Sequence, residues 1–514
     1  MDVLELILDR ARTSPDRPAA KDRSSDITYG ELEQAVAELA SGLGEQGVRE
    51  GDRVCLHLPN SVEFLVAALA CMWVGAIFVP LATTDPAPRR RAVVENCEPA
   101  LVLADAEMLS VAERDGERLY EGRLVLPVTA VNRPAGAAPA RADDDDRPAY
   151  CIYTSGTTAL PKGVLIGHRS FLCAVLAAAE LLELDETTRS LCVSSFHFDG
   201  SYGTLFPTPV AGGSLVIPRR EALMLPRLFF RTVADEQVTH TSMSPTYLRL
   251  LLPSRHLPEL ARTPLRTMAF GGDALFADDL ERLWASVPSL RVFNRYGPTE
   301  TTIAVTTHEL TPEIVALGDP LPIGRPHAGV TFWLVDDEGK IIDRPGDVGE
   351  LYIGGNHLMI GYWREPALMS EVMRTDVVPG ETVYRTRDLV FRDDSGSYHY
   401  VDRSDRVVKR SGMRISLVEI TASLTSLSSI SKAHCVAYDK DGGVGIAAFV
   451  VPIVAITGPE LRHAARDRLP ATMLPDVIEV VADFPLTGSN KVDERAMLQA
   501  AGLQELGKEG LRSG

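Results

Sequence analysis

The sequence has no CxxC pair and no Cys/His spacing of a zinc site; its seven cysteines are scattered along 514 residues. An odd, dispersed set argues against a disulfide framework and fits reduced thiols in a cytoplasm. Basic charge is also in short supply. With 52 Lys+Arg against 70 Asp+Glu the formal net charge is −18, a field that repels a phosphate backbone, so nucleic acid is not an expected partner. There is no repeat at solenoid or propeller periods and no extended low-complexity tail. The start, Met1 to Arg10, interleaves Asp2, Glu5 and Asp9 with apolar residues. It lacks the basic start and unbroken apolar stretch of a signal peptide and reads as an amphipathic helix.

Long apolar runs are nearly absent, with one exception from Phe64 to Ala82 (FLVAALACMWVGAIFVPLA). Its length approaches a membrane span, but no basic cluster flanks it. Gly75 splits it into an Ala-rich helical half and a Val/Ile/Phe half ending at Pro80. That is the pattern of a buried helix turning into a buried strand, and no membrane association is expected.

What is present is the composition of an ordinary packed enzyme, with 45% hydrophobic and 24% charged residues. The chain is too long for one core, so at least two domains are expected. Helix-period stretches alternate with short apolar runs, as where Val54-Cys55-Leu56-His57-Leu58 precedes the Ser61–Cys71 segment; this predicts largely parallel sheets covered by helices, an α/β fold. The Pro/Ala-rich stretch from Val131 to Ala149, with its four aspartates Asp143 to Asp146, reads as a solvated loop. Near residue 400 the text becomes charge-rich with short strands. A boundary is placed there, giving domains 1–402 and 403–514.

The chemistry begins where the apolar strand Ala149-Tyr150-Cys151-Ile152-Tyr153 runs into Thr154-Ser155-Gly156-Thr157-Thr158-Ala159-Leu160-Pro161-Lys162-Gly163. Small residues let successive N–H groups converge on an anion, hydroxyls add donors and the lysine adds charge, so a nucleotide phosphate is the natural ligand. The spacing is not that of the Walker loop. It resembles the YTSGTTGxPKG signature of the adenylate-forming superfamily of acyl- and aryl-CoA ligases, nonribosomal peptide adenylation domains and luciferases. Further resemblances follow in family order, from Thr28-Tyr29-Gly30-Glu31-Leu32 through Phe198-Asp199-Gly200-Ser201, Asn294-Arg295-Tyr296-Gly297-Pro298-Thr299-Glu300, Gly349-Glu350-Leu351-Tyr352, Tyr384-Arg385-Thr386-Arg387-Asp388 and Leu469-Pro470 to the lysine in Gly488-Ser489-Asn490-Lys491.

This resemblance implies a large N-terminal domain of two α/β/α-type sheets plus a distorted β-barrel, followed by a small, mobile α+β C-terminal domain. It implies ATP and Mg²⁺ as cofactors. Thr154, Ser155, Gly156, Thr157, Thr158 and Lys162 would cradle phosphates. Tyr296 would pack on adenine, with Gly272 and Asp273 beside the base, Asp388 on the ribose, and Asn294, Gly297 and Arg403 completing the nucleotide set. These roles suit aromatic faces and carboxylates. Thr299 would meet the α-phosphate, and Glu300 would be the metal ligand, an oxygen donor of the kind Mg²⁺ prefers. Lys491 is the leading catalytic residue, an ammonium placed where negative charge grows on the phosphates. Asp405 is the hinge candidate, although an exposed turn aspartate reads almost equally well.

In amino-acid-activating members an aspartate at the position of Asp199 pairs with the substrate ammonium. The other pocket positions fall on Gly200, Gly203, Ser242, Ala269, Gly271, Arg295, Ile303 and Ala304. Arg295 is the one charged residue among these eight, and its fork of donors suits a second carboxylate on an acidic α- or β-amino acid. Two other readings compete: Arg295 pairs with Asp199 or another protein carboxylate, or it simply closes the pocket floor. His197 reads as packing. Ala159, Arg387 and Ser489-Asn490 depart from the family pattern. The expected reaction is formation of aminoacyl-AMP with release of pyrophosphate. Because no carrier-type sequence follows Lys491, the acceptor is expected to be the phosphopantetheine thiol of a separate carrier protein, with a small helper protein as a further partner to test. A CoA ligase, or a nucleotide-binding module without turnover, are the competing readings.

Overall fold

The structure is a computed structural model. It describes residues 1–85, 87–106, 109, 120, 124–131, 147–154, 161–404, 407–410, 413–440, 443–466, 469, 473–487 and 492–505. The loop residues Ser155, Gly156, Thr157 and Thr158, the hinge candidate Asp405, the aspartate run 143–146 and Lys491 lie outside them.

The chain divides into two compact units. One comprises Met1–Asp347, Tyr352–Thr386 and Arg392–His399; the other comprises Val348–Leu351, Arg387–Phe391 and Tyr400–Gly514. The second unit's continuous stretch thus starts inside the strand Tyr398–Arg403, beside the boundary drawn from composition. It also takes two short pieces from earlier in the chain, Val348–Leu351 and Arg387–Phe391, which a single cut cannot describe.

The first unit opens on the amphipathic helix Val3–Thr13, which buries Val3, Leu4, Ile7, Leu8 and Ala11 and is capped by Asp2. The helix Tyr29–Glu45 begins with a reciprocal cap: Thr28 Oγ1 accepts from the Glu31 amide, and Glu31 accepts from the Thr28 amide at 2.8 Å. That gives the Thr-Tyr-Gly-Glu motif a structural purpose, satisfying amides the first turn would leave bare. The apolar run becomes the helix Val62–Trp73 and the strand Ile77–Pro80, joined through Gly75 at φ +75°. Among the described residues no helix is long and apolar enough to cross a membrane.

Two sheets carry this unit. In the first, Arg291–Tyr296, Thr267–Gly271, His240–Met243, Arg189–Cys192, Ser214–Val216 and Pro18–Lys21 run parallel in that order, edged by the antiparallel strands Thr306–Leu310 and Asp26–Thr28. In the second, Val125–Pro127, Leu101–Ala104, Arg53–His57, Ile77–Pro80 and Pro148–Thr154 are parallel. Lys162–Gly167 and then Gly361–Tyr362 add on antiparallel. Helices such as Val62–Trp73, apolar on nearly all sides, fill the core between. A third set of strands, between Pro322 and Arg403, is antiparallel in its described pairings and takes the place of the expected barrel.

The second unit is α+β. The long hairpin of Ile430–Lys440 and Gly443–Pro452 is joined by the parallel strand Val477–Val480, and the helices Leu417–Thr425 and Gly458–Arg466 contribute to its core.

Candidate active site

The first cluster lies where the second sheet meets the turn after Tyr296. Thr154 and Lys162 face each other across an antiparallel pair, at the two ends of the phosphate-loop segment. The strand Arg291–Tyr296 leads into Gly297, where a Cβ would come within 2.6 Å of Ala304 Cα, so only glycine fits. A single 3₁₀ turn, Thr299–Thr301, then presents Glu300. It ends on Thr302 and Ile303 with φ of +57° and +68°. Left-handed backbone at a β-branched residue is strained, and such strain persists where the surroundings over-determine the conformation. Here Thr302 Oγ1 donates to His357 O at 2.7 Å and Met359 N donates to Glu300 O at 2.9 Å.

Lys162 Nζ donates to Glu300 Oε1 at 2.8 Å and to the Tyr362 hydroxyl at 2.9 Å; the Tyr362 hydroxyl donates to the same Oε1 at 2.7 Å. The ammonium also sits over the Tyr362 ring, 4.4 Å from its centroid. Burial alone would raise the Glu300 pKa. The Lys162 charge and hydrogen bond, with that of Tyr362, outweigh burial and hold the carboxyl below its usual range, so it is ionised. A buried anionic oxygen donor next to a phosphate-loop lysine fits a divalent cation of the Mg²⁺ type, which takes oxygen ligands and bridges phosphates. Thr299 lies on the same turn. Tyr362 escaped the sequence reading, because its two-residue strand Gly361–Tyr362 carries no chemical signature until it pairs with Leu165 and Val164.

The base-binding candidates Gly272 and Asp273 follow the strand Thr267–Gly271, which pairs with Arg291–Tyr296. Gly272 has φ +85°, and Asp273 is exposed, accepting from Thr246 Oγ1 at 2.6 Å and from the Ala274 amide at 2.8 Å. Asn294 is buried with its amide group committed to Pro322 O at 2.9 Å. In the second unit, Asp388 and Arg403 form an ion pair at 3.5 Å, next to Arg387, which has φ +65°.

The second cluster gathers residues expected to line the substrate pocket. Ser242 and Ala269 are register neighbours, as are Gly271 and Arg295, on adjacent parallel strands. Arg295 is 8% exposed and reaches Gly203 O with Nη1 at only 3.4 Å; among the described residues Nε and Nη2 have no partner. A Cβ on Gly203 would lie 2.3 Å from Nη1. The glycine is therefore what admits the guanidinium. Burial lowers the Arg295 pKa to about 10, which leaves it charged at neutral pH.

Burial, with Arg295 as a further cause, also pushes His240 and His327 down to about 3, so both are neutral beside it. Asp199 opens the short turn Asp199–Ser201. Burial and its charge hold the phenols of Tyr150 and Tyr202 well above the usual range, and among the described residues neither hydroxyl has a partner. Ile303 and Ala304, on the strained turn, are buried, and Gly200 sits in the Asp199 turn with open space where a Cβ would be. His197, predicted as packing, is half-buried and shares a 2.6 Å hydrogen bond with Ser195 Oγ.

Comparison with known proteins accords with this geometry. The AMP-binding enzyme family matches residues 7–363, and the AMP-binding enzyme C-terminal domain matches residues 419–491. The chain belongs to this family of adenylate-forming enzymes. It is 33% identical to Nonribosomal peptide synthetase 8 of Aspergillus fumigatus over 96% of its own length and 6% of that protein's. It is 31% identical to Delta-poly-L-ornithine synthetase of Acinetobacter baumannii, covering 95% of this chain and 36% of that one. For Tyrocidine synthase 1 of Brevibacillus parabrevis the figures are 30%, 96% and 44%. The chain thus spans less than half the length of each of these relatives. Among solved structures, a four-domain nonribosomal peptide synthetase bound to AMP and glycine superposes with TM-score 0.84 at 28% identity, over 96% of this chain and 36% of that one. O-succinylbenzoate coenzyme A synthetase of Bacillus subtilis, in complex with ATP and magnesium ion, shares the fold with TM-score 0.82 at 24% identity, over 95% and 98%.

Proposed function

We propose that this enzyme uses ATP to activate the carboxylate of an amino acid bearing a second acidic group, forming aminoacyl-AMP, and passes the acyl group to the phosphopantetheine thiol of a separate carrier protein. A substrate carboxylate oxygen attacks the α-phosphorus, the new P–O bond forms as the bond to pyrophosphate breaks, and no proton needs to be moved. Mg²⁺, when bound, neutralises charge on the phosphates. Lys162 and Thr154 bind phosphate oxygens, Glu300 takes the cation, Tyr296 and Asp388 orient the nucleoside, and Lys491 stabilises the departing charge.

The observation that carries the substrate class is Arg295, a buried guanidinium with two nitrogens lacking partners among the described residues. A buried unpaired charge is expensive, and a bidentate carboxylate is the ligand its fork fits. Asp199 supplies the opposite charge for the substrate ammonium. The pocket therefore carries one site for each sign.

Amino-acid-dependent ATP–pyrophosphate exchange tests this, across neutral and dicarboxylic α- and β-amino acids, fatty acids and aryl acids, with Lys491→Ala as control. Exchange is expected with an acidic amino acid and not in the control. A neutral preference would overturn the role of Arg295, and exchange confined to acids lacking an amine would favour a CoA ligase. Binding of ATP without exchange for any acid would leave only a nucleotide-binding module.

A further inference from the structure

We infer that Tyr362 is a positioning residue for the metal-bound nucleotide: it keeps the Glu300 carboxylate oriented while Lys162 changes partner from that carboxylate to the phosphates. This rests on the reading of Glu300 as the cation ligand.

The geometry is a closed triangle in which Glu300 Oε1 receives two hydrogen bonds, one from Lys162 Nζ and one from Tyr362, and Tyr362 also accepts from Lys162. Lys162 cannot serve the phosphates and keep all its bonds to Glu300. Once it leaves, a carboxylate that is only 7% exposed would have lost its charged donor. An ionised buried carboxylate without donors is costly. Tyr362 is the donor that stays, because its backbone is fixed independently of the exchange. Gly361 and Tyr362 pair with the strand that carries Lys162, and the flanking residues bond to both sides of the cluster. Trp363 N donates to Gly163 O at 2.8 Å, Ile360 N to Leu165 O at 2.8 Å and Met359 N to Glu300 O at 2.9 Å. The segment from His357 to Trp363 is thus a strap between the phosphate-loop strand and the Glu300 turn, with the Tyr362 hydroxyl at the point where their charges meet.

The consequence is a coupling between cation and nucleotide. With the cation present, Glu300 trades Lys162 for the metal and Lys162 trades Glu300 for phosphate, so both charges remain paired. Without the cation, phosphate binding by Lys162 would strip Glu300 of its counter-charge and place it near further negative charge, so Lys162 keeps its bonds to Glu300 and the nucleotide binds without them. Tyr362 contributes to the first state through the orientation of the carboxylate. It contributes little to the second.

The test is calorimetric titration of the full chain with an ATP analogue carrying a methylene group between the α- and β-phosphorus atoms, in Mg²⁺ and in EDTA. Tyr362→Phe keeps the buried ring under Lys162 and removes only the hydroxyl. It is expected to lower the Mg²⁺-dependent gain in affinity by roughly tenfold, the scale of one hydrogen bond to an ionised group, while the affinity in EDTA and the KM for the amino acid stay near wild type. Tyr362→His, which keeps a ring donor, is expected to lose less, and thermal unfolding checks that both variants fold. Equal loss with and without Mg²⁺, equal loss in both variants, or an unchanged Mg²⁺ gain in Tyr362→Phe would overturn the inference. Glu300→Gln separates the two readings: if it leaves the Mg²⁺ gain intact, the assignment of Glu300 itself fails. If it abolishes the gain while Tyr362→Phe does not, only the role of Tyr362 fails.

Discussion

Lys162 and Arg295 are both inward-facing cations of the first unit, and the protein treats them in opposite ways. Lys162 has a carboxylate at 2.8 Å, a hydroxyl at 2.9 Å and an aromatic face. Arg295 has one long bond to a backbone carbonyl, and two of its nitrogens lack a partner among the described residues. A cation with a protein partner can meet a ligand only by exchange, so its binding energy is a difference between two pairings. A cation without one has already been desolvated by folding and gains the whole interaction when an anion arrives. The first arrangement suits a nucleotide that comes with its own counter-ion. The second suits discrimination between substrates, because a neutral analogue leaves the guanidinium unpaired.

Breaking the satisfied side should have the largest effect. Glu300→Gln keeps the shape but removes the charge that balances Lys162 and that is proposed to take the cation. The kcat/KM of pyrophosphate exchange is expected to fall on the order of a hundredfold or more. A change of only a few-fold would mean that Glu300 is a structural partner of Lys162 and nothing else.

The same substitution at the two cations should then shift stability in opposite directions. Lys162→Met leaves Glu300 buried without its counter-charge and is expected to cost about 1 to 3 kcal/mol, less than for a fully enclosed pair because Lys162 reaches solvent. Arg295→Met removes a buried charge with no acidic partner among the described residues, at similar volume, and is expected to raise stability by about 1 to 3 kcal/mol while abolishing exchange with acidic substrates. Urea midpoints of the two variants check this. A loss of stability in both would show that Arg295 has a protein partner after all.

Acid sharpens the comparison, since Arg295 helps keep its neighbours uncharged. His240 and His327 lie at about 3 and His357 at about 4, against an ordinary 6.5, mainly through burial. Their neutral forms are favoured by the fold, so the unfolded chain binds more protons below pH 6.5. The stability they contribute is complete above that pH and is lost as pH falls through 6.5 towards 4 for His357 and 3 for His240 and His327. At pH 5 the loss is about 2 kcal/mol for each histidine. Denaturation at pH 7 and pH 5 measures it; in Arg295→Met the deficit should stay near this value at pH 5 and fall below that of wild type only nearer pH 3, where one cause of the depression at His240 and His327 is gone.

Much of this was legible in the sequence. The apolar run around Gly75 follows from periodicity, and the ordered motifs picked out Lys162 and Glu300 separately, whereas the cap at Thr28 and Glu31 and the bond between Lys162 and Glu300 depend on the folded geometry. Tyr362 was not legible, because its partners lie 62 and 200 residues away along the chain and only strand pairing brings it to them. That Nε and Nη2 of Arg295 lack a partner among the described residues was equally invisible, since a pattern gives a residue's place on a strand but not what faces it. The two excursions of the chain into the second unit were hidden for a related reason: a boundary drawn from composition is a single cut.

Arg387 gives the smallest effect and links that second unit to its departure from the family pattern. Its φ is +65°, and its carbonyl accepts from the Ser404 amide at 2.6 Å, so the backbone there is held in the left-handed region where glycine is at ease. A side chain in that conformation costs about 1 to 2 kcal/mol, and glycine returns part of the gain through the greater freedom of the unfolded chain. Arg387→Gly is therefore expected to raise stability by about 0.5 to 1 kcal/mol, read from the urea midpoint. A fall would mean that the contacts of the guanidinium outweigh the backbone strain. In that case arginine at this position is retained for what its side chain holds, next to the ion pair of Asp388 and Arg403.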